Sequence, residues 1–432
     1  MELLSPAGDR EALIAAVENG ADAVYLGGKT LNARRGAGNF DDDELKWAAD
    51  YLHERGKRMY VTVNTVVKQE EMPLLYEAAS SLARAGADGA IVQDFGVCQA
   101  LSELLPRLPL HASTQMAIHN RQGAAELKKR GFHRAVLARE MTFEQIRACA
   151  DEGIEIEVFA HGALCVAYSG RCLLSGYFNH RDSNQGTCTN SCRWRYRIAN
   201  AEEDATGDIL PVDMAKIMAS ADAAPAALGG MPRHPAADRV YLIEEGKRAG
   251  QLMPIMEDEH GTYIMNSKDL RAIEHIGRLV EIGVDSLKIE GRTKSIYYVV
   301  RTAQAYRQAI DDAVAGRPFD TRLLGALQGL ANRGYTDGFY QRHHTQEYQN
   351  YITGASELHN SHYVGDVVSV KDGWATVLVK NRFAVGDTLE IFHPDGNAVV
   401  ALDKMRDEEG LAVSVAPGSG HRVRIPLDAR YD

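Results

Sequence analysis

The stretch ELLSPAGDREALIAAVENGADAVYLGG, residues 2–28, decides the fold of this chain. Two short apolar runs, at 2–7 and 22–28, flank an amphipathic run that ends at Gly20. This pattern predicts a strand, a helix and a second strand. Two strands joined through a helix run parallel in one sheet, whereas strands joined by a tight turn run antiparallel.

The same alternation continues over the first 300 residues. Further runs rich in β-forming residues and bounded by Gly, Pro or charge lie at 58–64, 89–94, 109–115, 134–140, 156–162 and 286–291. Eight strands alternating with helices predict an α/β fold, a closed parallel (β/α)8 TIM-like barrel. The alternative is an open doubly wound sheet, but no G-x-G-x-x-G motif follows the first strand.

The composition is that of an ordinary globular protein. The chain has 432 residues, of which 45% are hydrophobic and 25% charged, and this length predicts two or three domains. Its start lacks the features of a signal peptide, and no apolar stretch approaches the roughly 18 residues of a membrane span. We therefore expect a cytoplasmic protein with no membrane partner, in which thiols stay reduced.

The charge argues against a protein that coats nucleic acid without specificity. The formal net charge is −11, whereas phosphate contacts require a basic face. One local basic patch, RWRYR at 193–197, has aromatic residues between its arginines. The patch is typical either of a site that grips RNA or of a solvated strand edge.

The strand pattern divides the chain into regions. We predict the barrel over 1–316, a cysteine-rich insertion after strand seven at 163–256, a linker at 317–355 and a small C-terminal β-barrel domain at 356–432. Long insertions at the C-terminal ends of barrel strands build the active face. The insertion is therefore expected to contribute to a functional site.

The barrel interior is predicted to be unusually polar. If alternate side chains point inward, the inward set comprises Tyr60, Thr62, Asn64, Gln93, His111, Ser113, Gln115, Arg139, Glu157, Phe159, His161, Lys288 and Glu290. Burying such groups costs a few kcal/mol each unless they form hydrogen bonds or ion pairs or stay hydrated. We predict a wet ligand cavity near the C-terminal ends and an ion-pair network below it.

Several of these residues are candidates for a ligand site. The candidate catalytic residues are His161, Gln115 and Glu290, and Asn64 is a candidate substrate-binding residue. Arg292 and Lys294, just past strand eight, are expected to hold the carboxylate or phosphate of an anionic ligand. The alternative interpretation makes Lys288 and Glu290 structural ion-pair partners, and Arg292 and Lys294 ordinary surface charges.

Four of the six cysteines lie close together in the sequence. Their spacing is Cys165-x6-Cys172-x15-Cys188-x3-Cys192, and in a reducing compartment such a group indicates a metal or redox site. Four thiolates fit either tetrahedral zinc or an iron–sulfur cluster, and the wide C-x6-C spacing favours the cluster. The glycines expected to let the backbone fold around this centre are Gly170, Gly176 and Gly186. Cys98 and Cys149 fall in helical patterns and are expected to be core residues.

The cysteine segment carries a resemblance to a known family. EVFAHGALCVAYSGRCLLS at 157–175 resembles the signature of the collagenase-like peptidase family U32. The matching residues are Glu157, Phe159, Gly162, Ala163, Cys165, Gly170, Cys172 and Ser175. The segments 176–196, 257–276 and 287–307 are similar to the branch of that family that hydroxylates tRNA, and the resemblance covers essentially the whole chain.

The resemblance implies a function and a cofactor. It implies that the chain makes 5-hydroxyuridine at the wobble position of tRNA, in chemistry linked to prephenate rather than to molecular oxygen. It also implies a 4Fe–4S cluster, which we assign to the four clustered cysteines. The expected partners are the tRNA anticodon stem-loop, a small carboxylate co-substrate, and iron–sulfur assembly and electron-donor proteins. Arg193, Trp194 and Arg195 are candidates to grip phosphates and stack bases.

Two alternative functions stay open. The family name suggests a peptidase, but the chain has no H-E-x-x-H and no G-x-S-x-G motif. A cysteine peptidase pairing Cys165 with His161 would leave three clustered thiols unexplained. The other alternative is a zinc-stabilised RNA-binding protein.

Overall fold

The computed structural model describes most of the chain outside the insertion. The described residues are 1–165, 167–190, 192, 201–203, 209–211, 241–244, 252–258, 261–263, 267–332, 334–341, 363–394, 396–418 and 420–431. Among the helices in these ranges, none has both the length and the hydropathy that crossing a bilayer requires.

Eight parallel strands close a barrel. They are β1 (Glu2–Pro6), β2 (Ala23–Gly27), β3 (Arg58–Val63), β4 (Gly89–Val92), β5 (Leu110–Ala112), β6 (Arg134–Val136), β7 (Glu155–Ala163) and β14 (Ser286–Ile289). Closure is complete because β14 pairs in parallel with both β7 and β1. The predicted (β/α)8 barrel is confirmed, and the open doubly wound sheet is wrong.

Helices surround the barrel and start where the sequence supplies caps. They are α1 (Arg10–Glu18), α2 (Asp42–His53), α3 (Met72–Ala85), α4 (Phe95–Leu104), α5 (Arg121–Lys129), α6 (Phe143–Ala150), α8 (Ile276–Ile282) and α9 (Ile296–Val314). Side chains of Asp9, Asp41, Asp94, Asn120, Thr142 and Ser295 accept hydrogen bonds from first-turn backbone amides. The apolar faces of these helices pack against the strands in one continuous core, which buries both Cys98 and Cys149.

The insertion begins with α7 (Leu174–Asn179) and continues with antiparallel strands. These are β8 (Ala201–Glu203), β9 (Ile209–Pro211), β10 (Tyr241–Glu244), β11 (Leu252–Asp258) and β12 (Gly261–Tyr263). The chain returns through β13 (Asp269–Arg271), which runs antiparallel to the end of β7. The end of β7 therefore pairs with β13 beyond the ring of eight strands.

The segment predicted as a linker, 317–355, is packed against the barrel in its described part. It forms α10 (Arg322–Gln328) and β15 (Tyr335–Thr336), and β15 pairs with β13. The hydroxyl of Tyr340 donates a hydrogen bond of 2.6 Å to the carbonyl of Phe159 on β7. The described part of 317–341 is therefore packed rather than extended, residues 342–355 lie outside the described residues, and the linker boundaries stay a prediction.

The C-terminal region is an antiparallel β domain with its own core. Its strands are β16 (Gly365–Lys371), β17 (Trp374–Val379), β18 (Phe383–Ala384), β19 (Thr388–Ile391), β20 (Ala398–Ala401), β21 (Met405–Arg406), β22 (Ala412–Val413), β23 (Val415–Ala416) and β24 (Arg422–Pro426). It contacts α9 through an ion pair of 2.5 Å between Arg301 and Glu390 and through the packed rings of Tyr297 and Phe392. The barrel and this domain therefore share a polar and aromatic contact.

The lower barrel interior holds a buried ion-pair network. Glu157 on β7 lies 2.7 Å from the Nζ of Lys288 and 3.2 Å from the guanidinium of Arg134. Arg134 also lies 2.6 Å from Glu2 at the start of β1. These contacts confirm the predicted network, because each buried charge has an opposite charge beside it.

Removing the central carboxylate tests this network. In Glu157→Gln two cations lose their shared anion, and breaking a buried pair costs about 3–5 kcal/mol. We expect the free energy of unfolding, measured by denaturant titration, to fall by about 3 kcal/mol. The matched control is Glu126→Gln, which breaks an exposed pair with Arg130 on α5 and is expected to cost about 0.5 kcal/mol. Equal stability of the two variants would contradict this account.

Candidate active site and metal centre

A cavity of about 400 Å³ opens at the C-terminal ends of the barrel strands. Five basic side chains line it, Arg34, Arg139, Lys288, Arg292 and Lys294, together with one acidic side chain, Glu290. This excess of positive charge stands out in a chain whose formal net charge is −11. Low-dielectric walls strengthen the attraction of such a cavity for anions.

Glu290 follows β14 and is held by arginines. Arg34 lies 3.0 Å from one carboxylate oxygen, and Arg139 lies 3.7 Å from the other. Burial tends to raise the pKa of Glu290, but the positive charges of Arg34, Arg139 and Arg292 outweigh it and bring the pKa to about 2. Glu290 is therefore a stable carboxylate near neutral pH, and the geometry favours the ion-pairing role over general base catalysis.

Arg292 is buried and crowded by other cations. Its guanidinium donates a hydrogen bond of 3.0 Å to the hydroxyl of Thr62. Burial, and secondarily the charge of Arg34, lowers the pKa of Arg292 to about 10. The interpretation of Arg292 as ordinary surface charge is therefore wrong, and Lys294 lines the same cavity.

Arg139 is a second buried cation in the cavity wall. Its side chain is 10% exposed, and its guanidinium stacks 3.7 Å from the ring centre of Phe159. Within the described part of the chain, none of its guanidinium nitrogens makes a hydrogen bond, and its Nε is fully buried. Arg139 therefore retains hydrogen-bonding capacity for an anionic ligand.

An amide network places Gln115 at the cavity wall. Asn64 Nδ2 and Ser113 Oγ donate to Gln115 Oε1 at 2.9 and 3.1 Å. Asn64 is itself fixed, because its Oδ1 accepts the backbone amide of Ala33 at 3.0 Å. The oxygen of Gln115 is thus occupied, whereas its amide nitrogen donates to no described residue and is left for a ligand.

His161 does not line the cavity, although the alternation along β7 predicts that it does. The pairing of β7 with β14 is irregular here, with Phe159 opposite Lys288 and His161 opposite Ile289. The extra residue, Ala160, reverses the alternation beyond it. His161 instead packs among three tyrosine rings, with its Nδ1 3.3 Å from the hydroxyl of Tyr306. Burial lowers its pKa to about 3, so the imidazole is neutral.

The four clustered cysteines line the same cavity as the basic side chains. They are Cys165, Cys172, Cys188 and Cys192, and none of the six cysteines forms a disulfide. Two of the predicted glycines bring them there. A Cβ on Gly170 would collide with the carbonyl of Gln115, and one on Gly186 with the carbonyl of Asn32. Both glycines also have positive φ, whereas Gly176 lies within α7 and needs no such freedom.

The donor set fits an inorganic centre with thiolate ligands. The backbone amide of Asn190 donates to the sulfur of Cys188 at 3.4 Å. The negative charge of Glu290 raises the pKa of Arg34, which lines the same cavity as the thiols. No three His, Cys, Asp or Glu side chains in the described ranges are grouped around a single-ion position.

Some residues of the site were predicted and others were not. Arg193, Trp194 and Arg195 lie outside the described residues, so their prediction stays a prediction. Arg34 was missed because it lies in the loop after β2, where strand alternation does not apply. Its only signal is the basic pair Arg34-Arg35 shortly after a strand end, and Tyr168 at the cavity mouth carries no signal of its own.

Comparison with known proteins places the chain in a family. The model of Peptidase family U32 matches residues 8–350, and the model of its C-terminal domain matches 359–432. The chain is 45% identical to tRNA hydroxylation protein P of Escherichia coli over 99% of this chain and 93% of that protein. It is 42% identical to the protein of that name in Haemophilus influenzae, over 99% and 94% respectively.

A more distant relative carries a related name. An Escherichia coli protein named as a synthase of 5-hydroxycytidine in 23S rRNA is 31% identical, over 90% of this chain and 52% of that protein. The family models together span the barrel, the cysteine segment and the C-terminal β domain. The chain therefore belongs to Peptidase family U32.

Proposed function

We propose that this chain is a tRNA-modifying enzyme that hydroxylates the wobble uridine to 5-hydroxyuridine, with a 4Fe–4S cluster, without molecular oxygen and with prephenate as co-substrate. One observation carries the proposal: four thiols and five basic side chains share a single cavity at the C-terminal mouth of a (β/α)8 barrel. The names of the relatives at 45% and 42% identity support the substrate and the reaction.

The cluster would be held by Cys165, Cys172, Cys188 and Cys192. A bound cluster supplies electron transfer or Lewis acidity to a ligand in the cavity. Four thiolates suit a four-iron centre, in which each sulfur binds a different iron. The nearby cations offset the negative charge that the thiolates bring.

The basic side chains would hold the co-substrate. Prephenate carries two carboxylates, and guanidinium groups bind carboxylates with paired, charge-assisted hydrogen bonds. Arg139 offers nitrogens without hydrogen-bond partners among the described residues, and Arg292 and Lys294 lie in the same cavity wall. Glu290 keeps the arginines in place and, being ionised, leaves the binding of anions to them.

Uridine would enter the cavity as an unstacked base. A base inside a stacked strand cannot bring its ring carbon to a recessed centre, and an anticodon loop reduces the cost of unstacking. The free amide nitrogen of Gln115 is a donor suited to a uracil carbonyl oxygen. Asn64 acts on the base through its hydrogen bond to Gln115.

The geometry weighs against a cysteine peptidase. Such an enzyme requires a histidine within hydrogen-bond reach of its thiol. Cys165 lines the cavity, whereas His161 lies behind the wall and contacts Tyr306. The peptidase and the zinc-stabilised RNA-binding protein remain as outcomes of the experiments below.

Metal analysis tests the cofactor. Protein purified without air is expected to be brown, with about four irons per chain, because four thiolates match a 4Fe–4S cluster. Cys→Ala at each of 165, 172, 188 and 192 is expected to abolish this iron. Cys98→Ala, in the helical core, is the matched control and should keep it. Colourless protein with one zinc would instead support the RNA-binding alternative.

Nucleoside analysis tests the reaction. In cells lacking the protein, mass spectrometry of tRNA is expected to show no 5-hydroxyuridine at the wobble position. The wild-type chain and Cys98→Ala should restore it, also during growth without oxygen, whereas Cys165→Ala should not. Normal 5-hydroxyuridine in the deletion strain would overturn the proposed function, and casein cleavage requiring Cys165 alone would point to a peptidase.

Arg139 tests the anion site. In Arg139→Ala the ligand loses a charge-assisted hydrogen bond worth about 1.5–3 kcal/mol, so the KM for prephenate is expected to rise about 10- to 100-fold. Iron content should stay unchanged. The matched control, Arg84→Ala on the outer surface of α3, is expected to leave KM unchanged. An unchanged KM in Arg139→Ala would exclude Arg139 as a ligand contact.

A further inference from the structure

The turn Tyr168–Arg171 stands at the mouth of the cavity, and we infer that it is a stacking platform for an unpaired nucleobase of the substrate RNA. This inference rests on the proposed function and extends it to how the RNA loop is held. The ring of Tyr168 would stack on a loop base next to the target uridine. Arg171 would contact the adjacent phosphate.

The exposure of Tyr168 needs an explanation. Its side chain lines the cavity but is 64% exposed, whereas the cavity's other aromatic side chains, Tyr25 and Phe159, are buried. An exposed ring does not gain the favourable free energy that burial of its apolar surface would provide. The ring is therefore available for a ligand to cover.

The turn is anchored firmly enough to present that ring in one position. Arg171 N donates to Tyr168 O at 3.0 Å, which closes the turn. Ser169 is buried and donates through both its amide and its hydroxyl to Glu140 at 3.1 Å. Gly170 packs directly on the backbone of Gln115. A platform fixed in advance loses little conformational entropy on binding.

Among the described residues, Tyr168 has one aromatic neighbour. The ring of His119 meets it edge-on, with 5.6 Å between the ring centres. His119 is itself fixed by the carbonyl of Ala117, 2.7 Å from its Nδ1. This T-shaped contact helps to position the Tyr168 ring, most of whose surface stays exposed.

The occupant that this chemistry recognises is a base in single-stranded RNA. Proteins bind unpaired bases by stacking them on aromatic side chains, and arginines beside the ring neutralise the backbone. The guanidinium of exposed Arg171 makes no hydrogen bond or ion pair with the rest of the described chain. The basic cavity directly behind the turn attracts the same polyanion.

The test is a binding cycle with the iron-loaded full-length protein and a tRNA anticodon stem-loop. Tyr168→Ala is expected to weaken binding about 5- to 100-fold, the range for loss of one stacked base. Tyr168→Phe should bind like the wild type. Tyr76→Ala, which removes an equally exposed ring on α3 outside the cavity, is the matched control.

Stem-loops with one abasic nucleotide at each loop position complete the cycle. One abasic position should weaken binding to the wild type yet cause no further loss in Tyr168→Ala, because the two changes remove the same contact. In steady-state assays the KM for the stem-loop should rise while kcat at saturation stays within about threefold.

Two results would overturn the platform. One is wild-type affinity in Tyr168→Ala, and the other is additivity of Tyr168→Ala with every abasic position, which would show that the ring stacks on no base of the loop. The binding cycle needs no catalysis. A protein that binds the stem-loop through Tyr168 but leaves wobble uridine unmodified would contradict the proposed hydroxylation and retain the platform.

Discussion

Charged side chains inside a barrel must neutralise one another, because bulk water does not reach them. In this chain the requirement is met in two layers. Glu157 joins Lys288 and Arg134 in the lower layer, and Glu290 joins Arg34 and Arg139 in the upper one. The lower layer is balanced within the fold, whereas the upper layer has more basic than acidic side chains.

That surplus links the cysteines to the arginines. Thiolates and carboxylates are both anions, and each is stabilised by a guanidinium held in a low-dielectric wall. Arg34 pairs with Glu290 and lines the same cavity as Cys165. The same cations therefore line the cavity into which the four thiols are brought.

A single extra residue in β7 determines whether the side chain of His161 points into the cavity or away from it. Without the irregularity between Phe159 and His161, strand alternation would point the imidazole into the barrel, as it does the ring of Phe159. With it, the imidazole packs against Tyr298, Tyr306 and Tyr335 and stays neutral. Local strand geometry thus removes the histidine from the reacting groups and leaves amide and guanidinium groups to contact the ligand.

Much of the site could be predicted from the chain because it depends on short-range patterns. The alternation of strands and helices indicated the barrel, and strand periodicity placed Gln115, Asn64 and Glu290 inward, as they are found. The same periodicity failed for His161, because a bulge depends on the pairing of β7 with β14 and on no feature of β7 alone.

Other features depend on residues that are distant in the chain. Arg34 belongs to the site because its loop reaches Glu290, just after β14. The segment around β15 is packed because β15 pairs with β13. The amino-acid sequence by itself determined the secondary elements, the polar interior and the grouping of four thiols. The tertiary structure alone decided which cations meet those thiols and which ring faces the cavity mouth, because contacts between distant segments follow no local periodicity.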